Sequence, residues 1–203
     1  MRGIRSSSTR RIAALAVSGA LVFSLAACAN DPLADQYRQG DNKGFIAGDG
    51  AVQEIPEDQR GEPVEFAATT ENGDPVSSAD YAGEVLVVNF WYAACGPCRA
   101  EAKDLESVYQ EFAGEDVAFL GVNTLDSPAA ATAFAENYGI SYPSAIAAET
   151  PAIKLAFAEK TPIQATPTTL VLDAQGRVAA RIIGPIDPSI LKTLVQDKLA
   201  ETS

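Results

Sequence analysis

One junction constrains this chain more than any other feature. The apolar run Val85-Leu86-Val87-Val88-Asn89-Phe90-Trp91 leads into Cys95-Gly96-Pro97-Cys98, and the helical pattern Arg99-Ala100-Glu101-Ala102-Lys103-Asp104-Leu105 leads out. The run is rich in β-branched residues and too short to span a membrane, so it reads as a buried strand. Two cysteines therefore stand where a strand ends and a helix begins. The first turn of a helix presents free N–H groups and a partial positive charge, which favour a thiolate over a thiol. Cys95 falls at the expected N-cap. Cys98 falls one turn in, more buried and within reach of a short disulfide. Pro97 suits the first turn, where its missing N–H is not needed. The spacing lets Cys95 attack a substrate disulfide and Cys98 resolve the mixed disulfide.

A bare C-x-x-C also fits half a zinc site, a haem attachment site or a structural bridge. The 203 residues include no histidine and only three cysteines. Histidine-containing zinc sites and histidine-ligated haem or copper are therefore excluded, and a four-cysteine zinc site is out of reach. Arg99, not histidine, follows Cys98, which removes c-type haem attachment. A bridge across two residues closes almost no loop and restrains the unfolded chain little, so a redox pair is favoured over an inert bridge. Such a pair passes electrons through the dithiol itself, with no metal and no bound cofactor.

With Trp91 before the cysteines and Gly-Pro between them, Val85 to Glu101 resembles the active site of the thioredoxin superfamily. More closely, it resembles the membrane-anchored extracytoplasmic branch, the TlpA/ResA-like thiol-disulfide oxidoreductases. The resemblance covers about residues 63–199. It extends to Asn72-Gly73-Asp74-Pro75-Val76 upstream and Ala165-Thr166-Pro167-Thr168 downstream. It implies an α/β, thioredoxin-like fold: a central mixed sheet flanked by helices, with an N-terminal β-hairpin and an insertion. It also implies that Pro167 is cis and faces the cysteines, leaving the Thr166 backbone to pair with a substrate strand. On its own, a Thr-Pro before a strand is only a strand-starting proline. Gly96 and Pro97 join this substrate-binding set. Trp91 reads as core or as a rim for substrate, and its place four residues before Cys95 favours the rim.

Asn89 departs from ordinary thioredoxin, which carries a buried Asp at this spacing. Neutral Asn cannot act as a base. Glu101 lies three residues after Cys98, about one helical turn, so its carboxylate reaches the same face. The extracytoplasmic branch carries an acid there. Two readings of Glu101 stand side by side, a proton carrier for the pair and a solvated helix residue.

The N-terminus carries its own pattern. Arg2, Arg5, Arg10 and Arg11 precede the apolar run from Ile12 to Ala27, a basic region followed by a short hydrophobic one. Leu25-Ala26-Ala27-Cys28 resembles a bacterial lipobox. Residues 1–27 are thus expected to be a lipoprotein signal peptide, with Cys28 lipidated. Arg10-Arg11 also fits twin-arginine export, but Ala13 and Ala14 are weak where that route prefers bulk, so ordinary secretion is favoured. Residues 28–62 are polar and acidic and read as a flexible tether; residues 63–203 read as one domain. Loss of the leader removes four arginines and no acid, moving the formal net charge from −12 to −16. That excludes nucleic acid as a partner. It also argues against adhesion to anionic lipid, so the lipid on Cys28 must supply the membrane contact. The acidity itself reads as solubility.

Along the domain, residues 64–69 alternate like a half-buried strand, Asn72-Gly73 marks a turn, and Pro75-Val76 begins a return strand. Residues 78–82 make one helical turn. The helix after Cys95 runs through Phe112, with Leu105, Val108, Tyr109 and Phe112 on its core face and Gly114 as its stop. A second buried strand follows over 117–123. Ser127-Pro128 opens a helix that ends at Gly139. Strand, helix, strand, helix is the order of a parallel βαβ core. Residues 142–164, with three prolines, are the least legible part, holding a short helix over 152–158. Residues 168–173 and 178–183 form a hairpin at the sheet edge, and a last helix spans 188–199.

The expected function is thiol-disulfide exchange, as a reductase of exported proteins on the outer face of the bacterial cytoplasmic membrane. Gly96-Pro97 resembles the dipeptide of reducing thioredoxins. The resemblance suggests apocytochrome c among the substrates and a membrane electron donor or acceptor as redox partner. The rivals are a disulfide-forming oxidase, a peroxiredoxin-like peroxidase, a non-enzymatic binding lipoprotein and a copper-delivery protein. Ala93-Ala94 stand where peroxidatic cysteines usually follow Thr and Pro, and the lack of histidine weighs against copper.

Overall fold

The computed structural model describes residues 51–158 and 165–202. Its centre is strand β4, which follows three short strands: β1 (Val52–Glu54), β2 (Ala67–Thr69) and β3 (Pro75–Ser77). β4 spans Val85–Trp91 and is buried at every position. Its side chains alternate between two cores. Val85 and Val87 pack with Leu105, Val108 and Leu191 on one face. Leu86, Val88 and Phe90 pack with Phe66, Ile153 and Phe157 on the other. This double burial is why the run is apolar without alternation. Each large side chain so buried stabilises the fold by about 1.5–3 kcal/mol.

Helix α1 (Gly96–Glu111) returns the chain to β5 (Val117–Asn123), which pairs parallel with β4 from Val85↔Val117 to Trp91↔Asn123. Helix α2 (Pro128–Tyr138) is capped by Ser127, whose side chain accepts from the Ala130 N–H, and it stops at Gly139 in the left-handed region. It leads to β6 (Ser144–Ile146), parallel to β5. Helix α3 (Ala152–Ala158) follows. Strands β7 (Thr168–Leu172) and β8 (Val178–Ile183) are antiparallel to one another, and β7 is antiparallel to β4. Helix α4 (Pro188–Ala200) begins at Asp187, whose carboxylate accepts from the N–H groups of Ser189 and Ile190. The sheet order is β1-β8-β7-β4-β5-β6, with β2 and β3 as a separate hairpin. This is the mixed α/β architecture expected from the sequence.

Two expectations change, and a third gains a strand. The sequence carries the tether to residue 62, but Val52–Glu54 pairs with β8 and begins the sheet. Arg60 is buried as well, its guanidinium on Asp173 and Glu201. A three-residue strand and an ion pair spanning 141 residues have no local periodicity to betray them. For the same reason the β7–β8 hairpin is not at the edge, because β1 covers β8. Finally, the stretch 142–164, expected as an insertion, contributes β6 to the sheet. The tip of the β2–β3 hairpin covers that strand: the Glu71 carboxylate accepts from the Ser144 N–H at 2.8 Å, and the Glu71 N–H donates to the Ser144 carbonyl at 2.9 Å. Residues 159–164, the leader, Cys28 and the tether to residue 50 lie outside the described residues. Among the described residues no helix is long and apolar enough to cross a membrane.

Candidate active site

β4 ends at Trp91 and α1 begins at Gly96, so the cysteines stand at the C-terminal end of the central strand. Cys95 is the N-cap: its sulfur accepts the N–H of Cys98 at 3.1 Å, and its carbonyl accepts the N–H of Arg99 at 3.1 Å. One orphan donor of the helix is thereby spent on the sulfur, the arrangement that steadies a thiolate. Cys95 and Cys98 are joined as a disulfide. The sequence makes Cys98 the deeper of the two, but each is 2% exposed. The exposed part of the motif is Gly96-Pro97.

Cys95 is covered by the loop before β7. The Thr166–Pro167 peptide is cis. The Thr166 carbonyl oxygen lies 3.9 Å from the Cys95 sulfur, a contact rather than a hydrogen bond in the disulfide state, which has no S–H. Pro167 is buried, and its carbonyl accepts the N–H of Gly184 at 2.9 Å, which fixes the loop to the end of β8.

Glu101 is 2% exposed, so it is not a solvated helix residue. One carboxylate oxygen accepts from Nδ2 of Asn89 at 2.9 Å and the other from the N–H of Ile186 at 2.8 Å. Asn89 also donates to Oγ1 of Thr169 at 3.0 Å. Burial pushes the Glu101 carboxyl up to about 7. The two donors pull the other way, and the charge of Asp104 adds to the rise. Tyr142 shares this layer, and burial together with the charges of Glu101 and Glu106 pushes its phenol up. A narrow cavity lies beside Cys98, lined by Asn89, Ala102, Tyr142 and Ser144 among others.

Trp91, expected at the rim, lies inside. It is 6% exposed, in tilted contact with Phe134 with ring centroids 4.3 Å apart, and its Nε1 donates to Oγ of Ser144 at 3.3 Å. β4 carries it inward because Trp91 is still a strand residue, paired with Asn123. It belongs to the apolar packing around Cys95 and Cys98. Sequence reasoning also missed Asn123 and Asp126, which hold the loop before Cys95; the Asn at a strand end followed three residues later by Asp was the available signal. Among the described residues no three acidic, cysteine or histidine side chains gather as a metal-holding group.

The comparisons agree with this geometry. Residues 61–181 match the model of the AhpC/TSA family. The chain is 31% identical over 130 residues to the thiol:disulfide interchange protein HelX of Rhodobacter capsulatus, covering 64% of this chain and 69% of that protein. It is 26% identical over 126 residues to the thiol-disulfide oxidoreductase ResA of Bacillus subtilis, covering 62% and 68%. Among solved structures, a thioredoxin-family thiol:disulfide interchange protein of Chlorobium tepidum superposes with a TM-score of 0.64 at 30% identity, covering 69% of this chain and 97% of that one. A DsbF homologue of Corynebacterium diphtheriae gives 0.63 at 29% identity, covering 77% and 99%. A strand-to-helix C-G-P-C pair, a buried acid one turn on, and relatives that exchange disulfides converge on one conclusion: the chain belongs to the AhpC/TSA family and is a thiol-disulfide oxidoreductase of the thioredoxin fold.

Proposed function

We propose that the protein works as a disulfide reductase on exported proteins, held at the outer face of the cytoplasmic membrane by lipid on Cys28. Residues 1–27 serve as the signal peptide and the following residues, up to the start of β1, as the tether. Apocytochrome c is one substrate that the resemblance suggests, and a membrane dithiol protein the electron donor. The observation that carries the direction is the buried Glu101, fixed by Asn89 and Ile186 one turn beyond Cys98.

In the reduced protein the Cys95 thiolate attacks one sulfur of a substrate disulfide. A bond forms between Cys95 and that sulfur, the substrate S–S bond breaks, and the departing thiolate takes up a proton. Cys98 then gives its proton to the Glu101 carboxylate and attacks Cys95. The mixed disulfide breaks, the second substrate sulfur leaves as a thiolate that takes up the proton Glu101 received, and two electrons have passed from the pair to the substrate. A carboxyl poised at about 7 accepts and returns a proton with comparable ease near neutrality. Thr166, beside Cys95, offers its backbone to the incoming strand. The rival reading, a disulfide-forming oxidase, draws on the helix cap at Cys95, which favours the thiolate.

Cys98→Ser tests the roles. It leaves Cys95 able to attack and unable to release its partner, so mixed disulfides accumulate through Cys95. Trapping through Cys98 in the reciprocal Cys95→Ser variant, with none in Cys98→Ser, reverses the assignment. Cys28→Ser tests the anchor, by release from the membrane fraction or accumulation of the precursor. A variant that fractionates and migrates like the wild type removes it.

A further inference from the structure

Asp126 takes no part in the steps above, yet it holds the segment that carries the nucleophile. Its Oδ2 accepts two hydrogen bonds, from the peptide N–H of Ala93 at 2.6 Å and from Nδ2 of Asn123 at 2.8 Å. Asn123, fully buried at the end of β5, accepts at its Oδ1 from the N–H groups of Leu125 at 3.2 Å and Asp126 at 2.7 Å. The loop after β5 is closed on itself and joined through a single carboxylate oxygen to Tyr92-Ala93-Ala94. The Cys95 N–H in turn donates to the Tyr92 carbonyl at 3.1 Å, and Thr124 holds the Trp91 carbonyl with its N–H at 2.9 Å and its hydroxyl at 3.2 Å.

We infer that Asp126 is a positioning residue for the exchange reaction, setting through the Ala93 peptide where the Cys95 sulfur stands against the helix cap. The inference rests on the thiol-disulfide reading of the site. A carboxylate acceptor makes a stronger bond to a peptide N–H than a neutral one. Its charge has a second effect. The Asp126 carboxylate oxygen lies 2.6 Å from the Ala93 nitrogen, two residues before Cys95. A negative charge there opposes ionisation of Cys95, against the pull of the helix N-terminus. Among the described residues, the other ionisable groups about the pair are Arg99 on the exposed side of α1, Glu101 and Tyr142 in the buried layer, Tyr92 and Tyr138 packed against the apolar cluster that holds the cysteines, and Lys154, whose ammonium lies 3.5 Å from the Thr124 carbonyl.

Both bonds converge on one oxygen, which separates position from charge. Asp126→Asn keeps both bonds with its amide nitrogen turned away, and loses only the charge. Asp126→Ala loses both. Two measurements on the mature protein decide it: the pH profile of Cys95 alkylation by iodoacetamide, located by mass spectrometry in a Cys98→Ser background, and kcat and KM on a disulfide substrate with Cys98 intact. Asp126→Asn is expected to alkylate at lower pH than the wild type. Asp126→Ala is expected to lose about tenfold or more in kcat with little change in KM, and Asp126→Asn to recover most of that loss. An Asp126→Asn alkylation profile that coincides with the wild type overturns the inference, and so does an Asp126→Ala kcat equal to the wild type. If Asp126→Ala does not fold, the Asp126→Asn profile still decides. Alkylation requires no exchange activity, so a wild type that fails to exchange disulfides would count against the functional reading alone.

Discussion

The side-chain amide of Asn89 on β4 donates to the carboxylate of Glu101 on α1 at 2.9 Å, so the buried acid of this site is carried by the helix and steadied by the strand. In ordinary thioredoxin, by the resemblance, the acid sits on the strand. Here the strand position is the donor, and it holds an acceptor whose ionisation burial opposes.

Glu101→Gln is expected to fold, because the Asn89 amide can turn over and accept from both the introduced glutamine amide and the Thr169 hydroxyl. The folded-state value of about 7 lies above the ordinary 4.5. The native state therefore binds the extra proton, and stability falls as pH rises from about 4.5 to about 7, by about 3 kcal/mol in total. Urea unfolding at pH 5 and pH 8 checks this: the wild type should lose stability between the two, and the glutamine variant should lose much less. Equal losses would contradict the assignment. The pH dependence of the resolving step, centred near 7 in the wild type, should flatten in the same variant.

Gly121 sits where β5 passes beneath Trp91. A Cβ there would strike Oγ of Ser144 and lie 2.8 Å from Nε1 of Trp91, the two atoms that hydrogen-bond across it. Gly121→Ala should therefore displace Trp91 and cost about 1–3 kcal/mol. Trp91 is the chain's single tryptophan, so its fluorescence reports on the surroundings of this one ring. An unchanged emission spectrum with unchanged urea midpoint would contradict the packing described.

The features legible in the sequence were those with local signals. β4 announced itself by an unbroken apolar run, α2 by Ser127-Pro128 and Gly139, and the redox pair by its spacing. The features missed are those made by distant partners. β1 is three residues long and exists because β8 offers it an edge. The depth of Trp91 depends on Phe134 and Ser144, contributed by another helix and strand, so its own position in the sequence misleads. The burial of Glu101 could not be read from its helical spacing, since its second donor, Ile186, lies 85 residues away.

Arg60 and Lys198 fasten the segment before residue 62 to the last helix. Both side chains are 1% exposed. Arg60 bonds Asp173 at 3.0 Å and Glu201 at 2.6 and 2.8 Å, and Lys198 bonds Glu54 at 2.8 Å. Arg60→Ala removes the Arg60 bonds to Asp173 and Glu201, while Arg177 still holds Asp173 and Lys198 still holds Glu201, and it should cost about 1–3 kcal/mol at pH 7. Burial alone would raise Glu201, but its bonds to Arg60 and Lys198 outweigh this and hold it at about 2. That stabilisation is full above about 4.5 and is lost as pH falls toward 2. Acid unfolding should therefore be steeper in the wild type than in Arg60→Ala. An alanine variant as stable as the wild type at pH 7 would show the network to be inert.

The central claim is the direction of electron flow. Glu101 in the buried layer opposes a thiolate in the pair, and Gly96-Pro97 resembles reducing thioredoxins. A less stable thiolate means a less stable reduced form and a more negative potential. Equilibration of the purified protein with a glutathione or dithiothreitol series measures it directly. The expected standard potential is about −270 mV. A value above about −180 mV would contradict it and make the protein an oxidase.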